Sequence, residues 1–472
     1  MFSVRQWDNV AAREPRFKAA PGNFAKSLDH THGVQTARSF CLLLFAWSMA
    51  TAGSLLAAEA SSPDSNAKKT FDVRTFGAKG DGKTLDTVAI QKALDECGKA
   101  GGGIVRFAPG TYLSQPIFLR SKTTVQLDAG AKLQATDESA DFALHEKKDY
   151  PSPVGKYRAF VNATNLTDVA IVGKGTIDGA GERWWGPAEE ARRITPGYTL
   201  PRPRLVVFTG CKNVRVQDVT LADSPTFHLV PANCEDVIIE GLTITAPEHA
   251  ANTDAIDPSA SRRVRISKCL IDVGDDNVAI KSNRAVSGRE FACEDITVTD
   301  CVFRHGHGMS IGSETSGGVR NVFVRNCTFT DTENGIRIKS PRGRGGRVEN
   351  DVCENITMTN VDPAITITCY YPKIPKEDAA QPMTPQTPSF RQIRIKNLTA
   401  TCPRQAGIII GLPESPISDV LLENVQIFAA KGLTIRNSKA VRLDNTHVSA
   451  GEGQPFILEE AQVEGLPKIS ER

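Results

Sequence analysis

The sequence is poor in aromatic residues. Phe, Trp and Tyr together make up 6% of its 472 residues, whereas it contains 38 glycines and many Asn-containing turns. This balance favours many short strands joined by tight turns over packed helices. With 40% hydrophobic and 23% charged residues, the chain has the composition of a globular protein with a large core.

The sequence also lacks an excess of charge of either sign. Residues 1–60 hold six Lys/Arg and four Asp/Glu, so residues 61–472 hold fifty of each and have a formal net charge of zero. A neutral body argues against general attraction to nucleic acid or to a membrane surface. We therefore expect no nucleic-acid partner and no stable membrane association, and any affinity for an anionic substrate must be local.

A third absence concerns metal-binding patterns. The eleven cysteines include no CxxC pair and no Cys/His metal spacing, so we expect no metal site and no cofactor. Five cysteines occupy matching places in successive copies of the repeat described below: Cys211, Cys234, Cys269, Cys301 and Cys327. We interpret these as buried, stacked thiols.

Residues 40–58 form a mostly apolar run that follows Arg38 and leads to Ala58-Glu59-Ala60. An apolar run before a small-x-small site is typical of a secretory signal, although this run is long enough for an uncleaved anchor. We expect a leader and signal peptide in residues 1–60, a single domain in residues 61–472, and a secreted or periplasmic protein.

A short cassette recurs along the chain: a turn with Asn or Asp, an alternating Val/Ile pair, two or three polar residues, and another alternating pair. Its copies begin, at intervals of 21 to 37 residues, with Val214, Val237, Val264, Ile296, Val322, Ile356, Ile393, Val420 and Val441. Alternating strands broken by Asn/Gly corners at this interval predict an all-β fold, a right-handed parallel β-helix. Corner asparagines adopt left-handed conformations and can hydrogen-bond to their counterparts in adjacent coils.

Residues 84–97 carry apolar residues at helical spacing and are followed by three glycines. The apolar positions are Leu85, Val88, Ala89, Ala93, Leu94 and Cys97. This pattern predicts one short amphipathic helix. We expect it to cap the N-terminal end of the solenoid, which would otherwise expose apolar side chains and unpaired backbone groups.

Four polar clusters follow one another at about one coil apart. They are Asn252-Thr253-Asp254, Gly274-Asp275-Asp276, Gly306-His307-Gly308 and Arg337-Ile338-Lys339. In a stacked repeat, residues one coil apart in sequence become neighbours in space. We therefore expect three carboxylates, one histidine and two cations to converge on one patch of surface.

Strand geometry predicts how some of these side chains point. Asn252 and Asp254 are two residues apart on a strand-like segment and should face the same way. The same spacing applies to Arg337 and Lys339, with Ile338 directed into the core.

The adjacent carboxyl groups of Asp275 and Asp276 can serve one site only if the chain bulges or turns there, which Gly274 favours. Two adjacent carboxylates near a third repel one another, so at least one should have a raised pKa and be protonated near neutral pH. A protonated carboxyl beside an ionised one is what inverting glycoside hydrolysis requires. The two cations indicate that the sugar itself carries a carboxylate, which Arg can bind in bidentate fashion.

The segments NTDAID, GDDNVAIKS, RHGHGMSIGS and NGIRIKSPRGRGG occur in this order. In this respect the chain resembles glycoside hydrolase family 28, the polygalacturonase family, over nearly all of residues 71–460. Ala255 and Asn277 depart from residues common in that family, but neither change removes a charged group. The resemblance implies an inverting hydrolase of the α-1,4-galacturonosyl bonds of pectin, acting on an acidic polysaccharide from its end or internally.

The resemblance also implies roles for individual residues. The catalytic set would be Asp254, Asp275, Asp276 and His307, and the substrate-binding set Asn252, Arg337, Lys339 and Tyr371. Asp275 would be the general acid, and Asp254 and Asp276 would hold and deprotonate the water. His307 would support the protonation state around the acid.

The two cations would hold the substrate carboxylate, and Asn252 would orient Asp254 or contact sugar. The family's tyrosine falls on Tyr370 or Tyr371, of which we favour Tyr371.

Three alternatives remain open at this stage. One is a rhamnogalacturonan hydrolase of the same family, and another is a pectate-lyase-like β-eliminase, which would need a Ca²⁺ site and an Arg or Lys base. The third is a carbohydrate-binding or adhesin-like β-helix. Loops in residues 181–204 and 371–389 would decide between exo and endo action, and a capped solenoid can be a monomer.

Overall fold

The computed structural model describes residues 68–144, 157–282 and 292–467. The predicted leader and signal peptide lie outside these ranges. Within them, no helix combines the length and the apolar character needed to cross a membrane.

The described chain forms a right-handed parallel β-helix, as predicted, whose coils have three faces. The first face contains β1 (Thr70–Asp72), β3 (Gly103–Phe107), β6 (Thr123–Leu127), β9 (Thr167–Gly173), β12 (Lys212–Gln217), β15 (Glu235–Glu240), β17 (Arg262–Ser267) and β20 (Cys293–Thr299). The second contains β2 (Asp81–Leu85), β4 (Gly110–Ser114), β7 (Ala131–Ala135), β10 (Thr176–Asp178), β13 (Thr220–Ala222), β16 (Thr243–Thr245), β18 (Leu270–Asp272) and β21 (Val302–Arg304).

The third face contains β5 (Ile117–Phe118), β8 (Val161–Thr164), β11 (Val206–Thr209), β14 (Leu229–Ala232), β19 (Val278–Ser282), β22 (Met309–Thr315), β24 (Ile336–Lys339) and β26 (Ile365–Thr368). Between β14 and β19, residues 256–259 make isolated parallel bridges to both strands. Towards the C-terminus, four long strands turn from one face onto the next: β23 (Val319–Thr330), β25 (Arg347–Thr359), β27 (Ser389–Ile410) and β28 (Ile417–Glu464).

Inward side chains of the first face stack in register along the solenoid. Val214 pairs with Val237, Val237 with Val264, Val264 with Ile296, and Ile296 with Val322. All five side chains are buried. Because burying one such side chain contributes about 1.5–3 kcal/mol, the repeated apolar residues account for much of the driving force for stacking.

One predicted repeat boundary is wrong. Val322 pairs with Asp351, and Asp351 with Ile393, so Ile356 does not begin a first-face strand. Ile356 instead pairs with Cys327 after the chain has turned onto the second face. The polar Asp351 occupies a core position, and for this reason the alternation of apolar residues did not reveal the first part of β25.

Asparagines occupy the corners in left-handed conformations, as predicted. Asn321, Asn350, Asn326 and Asn355 all have φ between 54° and 60°. Asn350 Nδ2 donates to Asn321 Oδ1 at 2.7 Å, and Asn355 Nδ2 donates to Asn326 Oδ1 at 3.0 Å. These side-chain ladders join successive coils at their corners.

Three helices and one short 3₁₀ turn (Val73–Phe76) accompany the described strands: α1 (Thr87–Lys99), α2 (Ser139–Phe142) and α3 (Glu182–Ile194). Helix α1 is the predicted N-terminal helix and buries Ile90, Leu94 and Cys97 in the core. It begins later than predicted because Leu85 belongs to β2, and Val88 is 80% exposed instead of packed.

All ten cysteines in the described part of the chain are free and buried, including the five predicted to stack. Their thiols lie near backbone carbonyl groups. For example, Cys234 Sγ donates to the Ala232 oxygen and Cys269 Sγ to the Ser267 oxygen, both at 3.3 Å. These cysteines therefore behave as small core residues.

Candidate active site

A column of side chains runs along the third face, one from each successive coil. Parallel pairing aligns, in order, Val206, Leu229, Ile256, Val278, Met309 and Ile336. The residues two positions before these form what we call the site column: Arg204, Phe227, Asp254, Asp276, His307 and Asn334. Because neighbouring strands lie about 4.8 Å apart, consecutive members of the site column can interact.

Two cations reach the site column from β24. Arg337 Nη1 lies 3.3 Å from Asp276 Oδ1, and Lys339 Nζ lies 3.1 Å from Asp276 Oδ2. Between them, Ile338 is buried in the core. Asp276 also accepts a 2.7 Å hydrogen bond from Ser310 Oγ, so Arg337, Lys339 and Ser310 all donate to this carboxylate.

The chain turns at residues 274–276, which brings the two adjacent aspartates to one place. His307 Nδ1 lies 3.0 Å from Asp275 Oδ1 and 3.9 Å from Asp276 Oδ1. Glycines permit the close approach: a Cβ on Gly274 would collide with the carbonyl oxygen of Ala250, and one on Gly306 with that of Asp275.

His307 lies between two carboxylates. Its Nδ1 faces Asp275 and its Nε2 lies 3.0 Å from Glu333 Oε2, so both ring nitrogens point at acceptors. Burial alone would lower the pKa of His307, but these two hydrogen bonds outweigh it and raise the pKa to about 10. The ring is therefore an imidazolium at neutral pH.

Asp275 and Asp276 are both ionised in the free protein. Burial opposes ionisation of Asp275, but the hydrogen bond and charge of His307 prevail and lower its pKa below the usual value. Burial also opposes ionisation of Asp276, and there the charges of Lys339 and Arg337 prevail over it and over repulsion from Asp275. The proton shared by Asp275 and His307 thus resides on the histidine.

A buried charged triad adjoins this group. Lys281 Nζ lies 2.9 Å from Asp254 Oδ2 and 2.5 Å from Asp257 Oδ2. Burial raises the pKa of Asp254 well above its usual value, partly offset by Lys281, and burial raises the pKa of Asp257 to about 6. Of the three predicted carboxyls, Asp254 thus has the raised pKa, but its main cause is burial instead of the predicted repulsion, and the adjacent Asp275 and Asp276 have lowered pKa values.

Sequence reasoning missed Asp257 and Lys281, although both lie in the quoted segments NTDAID and GDDNVAIKS. The signal that could have revealed them is the register. Ser259 pairs with Lys281, so the lysine belongs to the coil directly after that of Asp254 and Asp257.

Asn252 does not lie on a strand-like segment, so the predicted common orientation with Asp254 is wrong. Its φ is 59°, and the left-handed turn directs its side chain to Asp275 Oδ2, to which Nδ2 donates at 3.3 Å. Asn252 Oδ1 accepts from Arg202 at 2.8 Å. Arg202, which sequence reasoning also missed, is buried and donates to the backbone oxygens of Pro225 and Ala251 as well.

Of the two candidate tyrosines, Tyr371 lies beside the cations. Lys339 Nζ is 5.3 Å, and Arg337 Cζ 5.9 Å, from the centre of its ring. Tyr370 is buried instead and donates to Asp378 Oδ2 at 2.7 Å.

The paired tryptophans Trp184 and Trp185 lie in α3 and are buried. Trp185 Nε1 donates to the Ser224 oxygen at 3.0 Å. A cavity of about 1100 Å³ beside α3 is lined by Trp185 and several acidic side chains, among them Asp178 and Asp223, and by none of the predicted site residues. The tryptophans therefore serve to pack α3 onto the coils.

Ligand atoms of Asp275, Asp276 and His307 lie within 4.8 Å of one another, close enough to surround a cation. These atoms already bind each other, however, and Arg337 and Lys339 supply two positive charges to Asp276. A divalent ion at this point would meet strong repulsion from them. The arrangement thus fits acid–base chemistry better than metal binding.

Comparisons with known proteins point to one family. The model of the family described as glycosyl hydrolases family 28 matches residues 108–450. The chain is 34% identical over 380 residues to an endo-polygalacturonase of Pectobacterium carotovorum subsp. carotovorum, covering 76% of this chain and 88% of that protein. It is 32% identical over 374 residues to a probable polygalacturonase of Vitis vinifera, covering 75% and 73%.

Among solved structures, a hyperthermoactive exopolygalacturonase from Thermotoga maritima matches with a TM-score of 0.65 and 28% identity. The match covers 83% of this chain and 92% of that chain. Relatives with endo and exo names are therefore both among the proteins that this chain resembles.

Proposed function

The chain belongs to glycosyl hydrolases family 28, and from this premise we propose that it hydrolyses the α-1,4-galacturonosyl bonds of polygalacturonate with inversion at the anomeric carbon. One observation carries the proposal: Arg337 and Lys339 lie against Asp276, directly beside the Asp275–His307 pair. Cations suited to a uronate carboxylate thus adjoin the carboxyl groups that inverting hydrolysis requires.

In this proposal Asp275 donates a proton to the leaving glycosidic oxygen. The proton initially resides on His307, 3.0 Å away. A bound sugar excludes water from this pair, and the loss of water disfavours both the Asp275 carboxylate and the His307 imidazolium. Substrate binding therefore favours a neutral carboxylic acid at Asp275 beside a neutral imidazole at His307. His307 thus supplies the proton that Asp275 delivers, and Asn252 orients Asp275 through its 3.3 Å hydrogen bond.

Asp276 and Asp254 hold the attacking water, and Asp276 accepts its proton. The charges of Lys339 and Arg337 hold the pKa of Asp276 low in the free protein. When a substrate carboxylate shares these two cations, the pKa of Asp276 rises, which makes it a more effective base. Substrate binding would in this way activate the base.

The substrate carboxylate binds to Arg337 and Lys339, next to Tyr371. Arg337 makes one 3.3 Å contact with Asp276, which leaves other guanidinium donors available for a second carboxylate. The Tyr371 ring lies against both cations and is only partly buried, so it can also contact a sugar face.

Digestion of polygalacturonate in the presence of EDTA tests this function. Reducing ends, ultraviolet absorbance of unsaturated ends and product lengths are followed together. We expect reducing ends without new absorbance, and the first product observed by NMR should be the β-anomer. Monomer from the outset means exo action, and mixed oligomers mean endo action. New absorbance would indicate β-elimination, and no product would contradict polygalacturonate as the substrate and favour rhamnogalacturonan.

We further propose that the protein is exported to the periplasm or the medium. A polymeric substrate cannot readily cross a membrane, and residues 40–58 have the composition of a signal-peptide core. N-terminal sequencing of protein recovered outside the cytoplasm should find a start near residue 61. Recovery of the full-length chain from the cytoplasm alone would contradict export.

A further inference from the structure

The site column extends beyond the proposed catalytic residues, towards the N-terminal coils. Phe227 lies one coil before Asp254 and Arg204 two coils before it, both at the same position of their coils as Asp254. With about 4.8 Å per coil, the Arg204 backbone lies roughly 10 Å from that of Asp254. One coil is also close to the length of one pyranose unit, so a sugar chain lying along the column would reach both residues.

Arg204 has an unusual environment for a half-buried cation. Its guanidinium lies 5.1 Å from the centre of the Phe227 ring and makes no hydrogen bond or ion pair with any residue that the structure describes. Burial lowers the pKa of Arg204, and the more distant charges of Asp257 and Asp254 only partly offset this. A cation that loses water without gaining a carboxylate is costly in a folded protein unless a ligand supplies the partner.

Lys281 provides a direct contrast. It lies 4.2 Å from the centre of the same ring, but both of its carboxylate partners, Asp254 and Asp257, belong to the protein. Of the two cations against Phe227, therefore, Lys281 is neutralised by the protein, whereas Arg204 has five N–H donors that no described residue uses.

We propose that Arg204 and Phe227 form an additional uronate-binding subsite, in which Arg204 binds the carboxylate of a sugar unit beyond the cleaved bond and Phe227 contacts its ring. This proposal rests on the proposed function, since it takes the substrate to be a polyuronate. The subsite binds substrate and transition state equally, so it lowers KM for chains long enough to reach it and leaves kcat unchanged.

Oligogalacturonates from dimer to hexamer test the subsite, with kcat and KM measured at each length for wild type, Arg204→Gln and Arg204→Lys. In the wild type, KM should fall once the chain reaches Arg204. In Arg204→Gln, KM should no longer fall at this chain length. Its KM for the longest chains should be roughly tenfold above that of wild type, the effect expected from one charge-assisted hydrogen bond. Arg204→Lys should recover part of it, because it retains the charge.

The matched control is Arg265→Gln, which removes an exposed arginine on β17 of the first face and should leave every constant unchanged. The subsite is disproved if Arg204→Gln raises KM equally at all lengths, lowers kcat instead, or follows the wild-type length dependence. If the wild type hydrolyses no oligomer, both the proposed function and the subsite are overturned. If the wild type hydrolyses oligomers normally and Arg204→Gln has the same constants, the subsite alone is overturned.

Discussion

The first and third faces of the solenoid use ion pairs between coils in opposite ways. On the first face, Arg263 pairs with Asp236 at 2.7 Å and Lys396 with Glu423 at 2.9 Å, and these four side chains are 36–46% exposed. On the third face, Lys339 pairs with Asp276 and Lys281 with Asp254, and none of these four side chains is more than 15% exposed.

On the first face the partners lie directly opposite one another in adjacent strands, whereas on the third face Lys339 lies two coils after Asp276, and Lys281 pairs in register with Ser259 instead of Asp254. The two sets of pairs also differ in their solvent exposure. Exposed pairs contribute little, because water screens them and long side chains lose entropy. Buried charges are costly, and proteins retain them where the charge itself is used. We infer that the first face uses charge for solubility and the third face for chemistry, which can be tested by equivalent substitutions on both faces.

The largest effect is expected for Asp275→Asn. The amide cannot donate the proton of a carboxylic acid, so kcat on polygalacturonate should fall by about 10³-fold, while oligogalacturonate binding measured by calorimetry is largely retained. Asp236→Asn, the same substitution on the first face, should leave kcat unchanged. A kcat for Asp275→Asn within tenfold of wild type would exclude Asp275 as the general acid.

Lys281→Met tests the cost of buried charge. It leaves Asp254 and Asp257 without their cation and should reduce the free energy of unfolding by about 3 kcal/mol. Burial already raises the pKa of both carboxyls in the wild type. A carboxyl with a raised folded-state pKa loses stability as the pH increases through that pKa, so the variant should be least stable at high pH.

Chemical denaturation between pH 4 and pH 9, conditions chosen to bracket the pKa of about 6 for Asp257, provides the measurement. Lys396→Met on the first face is the matched control and should change stability little at any pH. Equal losses for the two variants would refute the contrast between the faces.

His307→Gln should lower kcat/KM by roughly 10²-fold, since it removes the group that supplies the proton to Asp275. Its effect on stability should depend on pH. The folded-state pKa of about 10 lies above the unfolded value of about 6.5, so the stabilisation by His307 is complete below pH 6.5 and disappears as the pH rises through 10.

The difference in unfolding free energy between wild type and His307→Gln should therefore shrink across that pH range. His305→Gln, which removes an exposed partner of Asp272, should leave kcat/KM unchanged. If the difference for His307→Gln grew with pH instead, an imidazolium at position 307 would be excluded.

The smallest effect concerns a buried carboxyl on the first face. Asp351 lies at a core position, and neither of its carboxyl oxygens has a hydrogen-bond partner among the described residues. Burial raises its pKa well above the usual value, and the nearby Val322 amide offsets only part of this. Asp351→Val should stabilise the protein by about 1–3 kcal/mol without changing kcat.

The gain in unfolding free energy should increase with pH. The raised folded-state pKa of Asp351 destabilises the wild type as the pH rises, and the variant lacks this carboxyl. Asp351→Asn serves as the control, because it keeps the shape and polarity of the side chain but cannot ionise. Its gain in unfolding free energy over wild type should also depend on pH, although a polar group remains in the core. A destabilised Asp351→Val would show that the carboxyl has a favourable role in the core.

The coil architecture could be read from the sequence because its determinants are local and repeated. Alternating apolar residues such as Val214 and Val216 occur in every copy, and a corner Asn or Asp such as Asn321 occurs in most copies. Their spacing is the one that a strand and a turn impose. The prediction failed where a copy departed from the pattern, as at Asp351, since no local signal then marked the strand.

Only part of the candidate site could be predicted from the sequence. The chain itself determined that Asp254, Asp275, Asp276, His307, Arg337 and Lys339 recur one coil apart, because coil length sets which residues become neighbours. Their charge states were decided by the tertiary structure, which placed Lys281 between Asp254 and Asp257 and His307 against Asp275. The physical reason is that a pKa depends on burial and on the nearest charge across coils, and both follow from how turns of unequal length pack together.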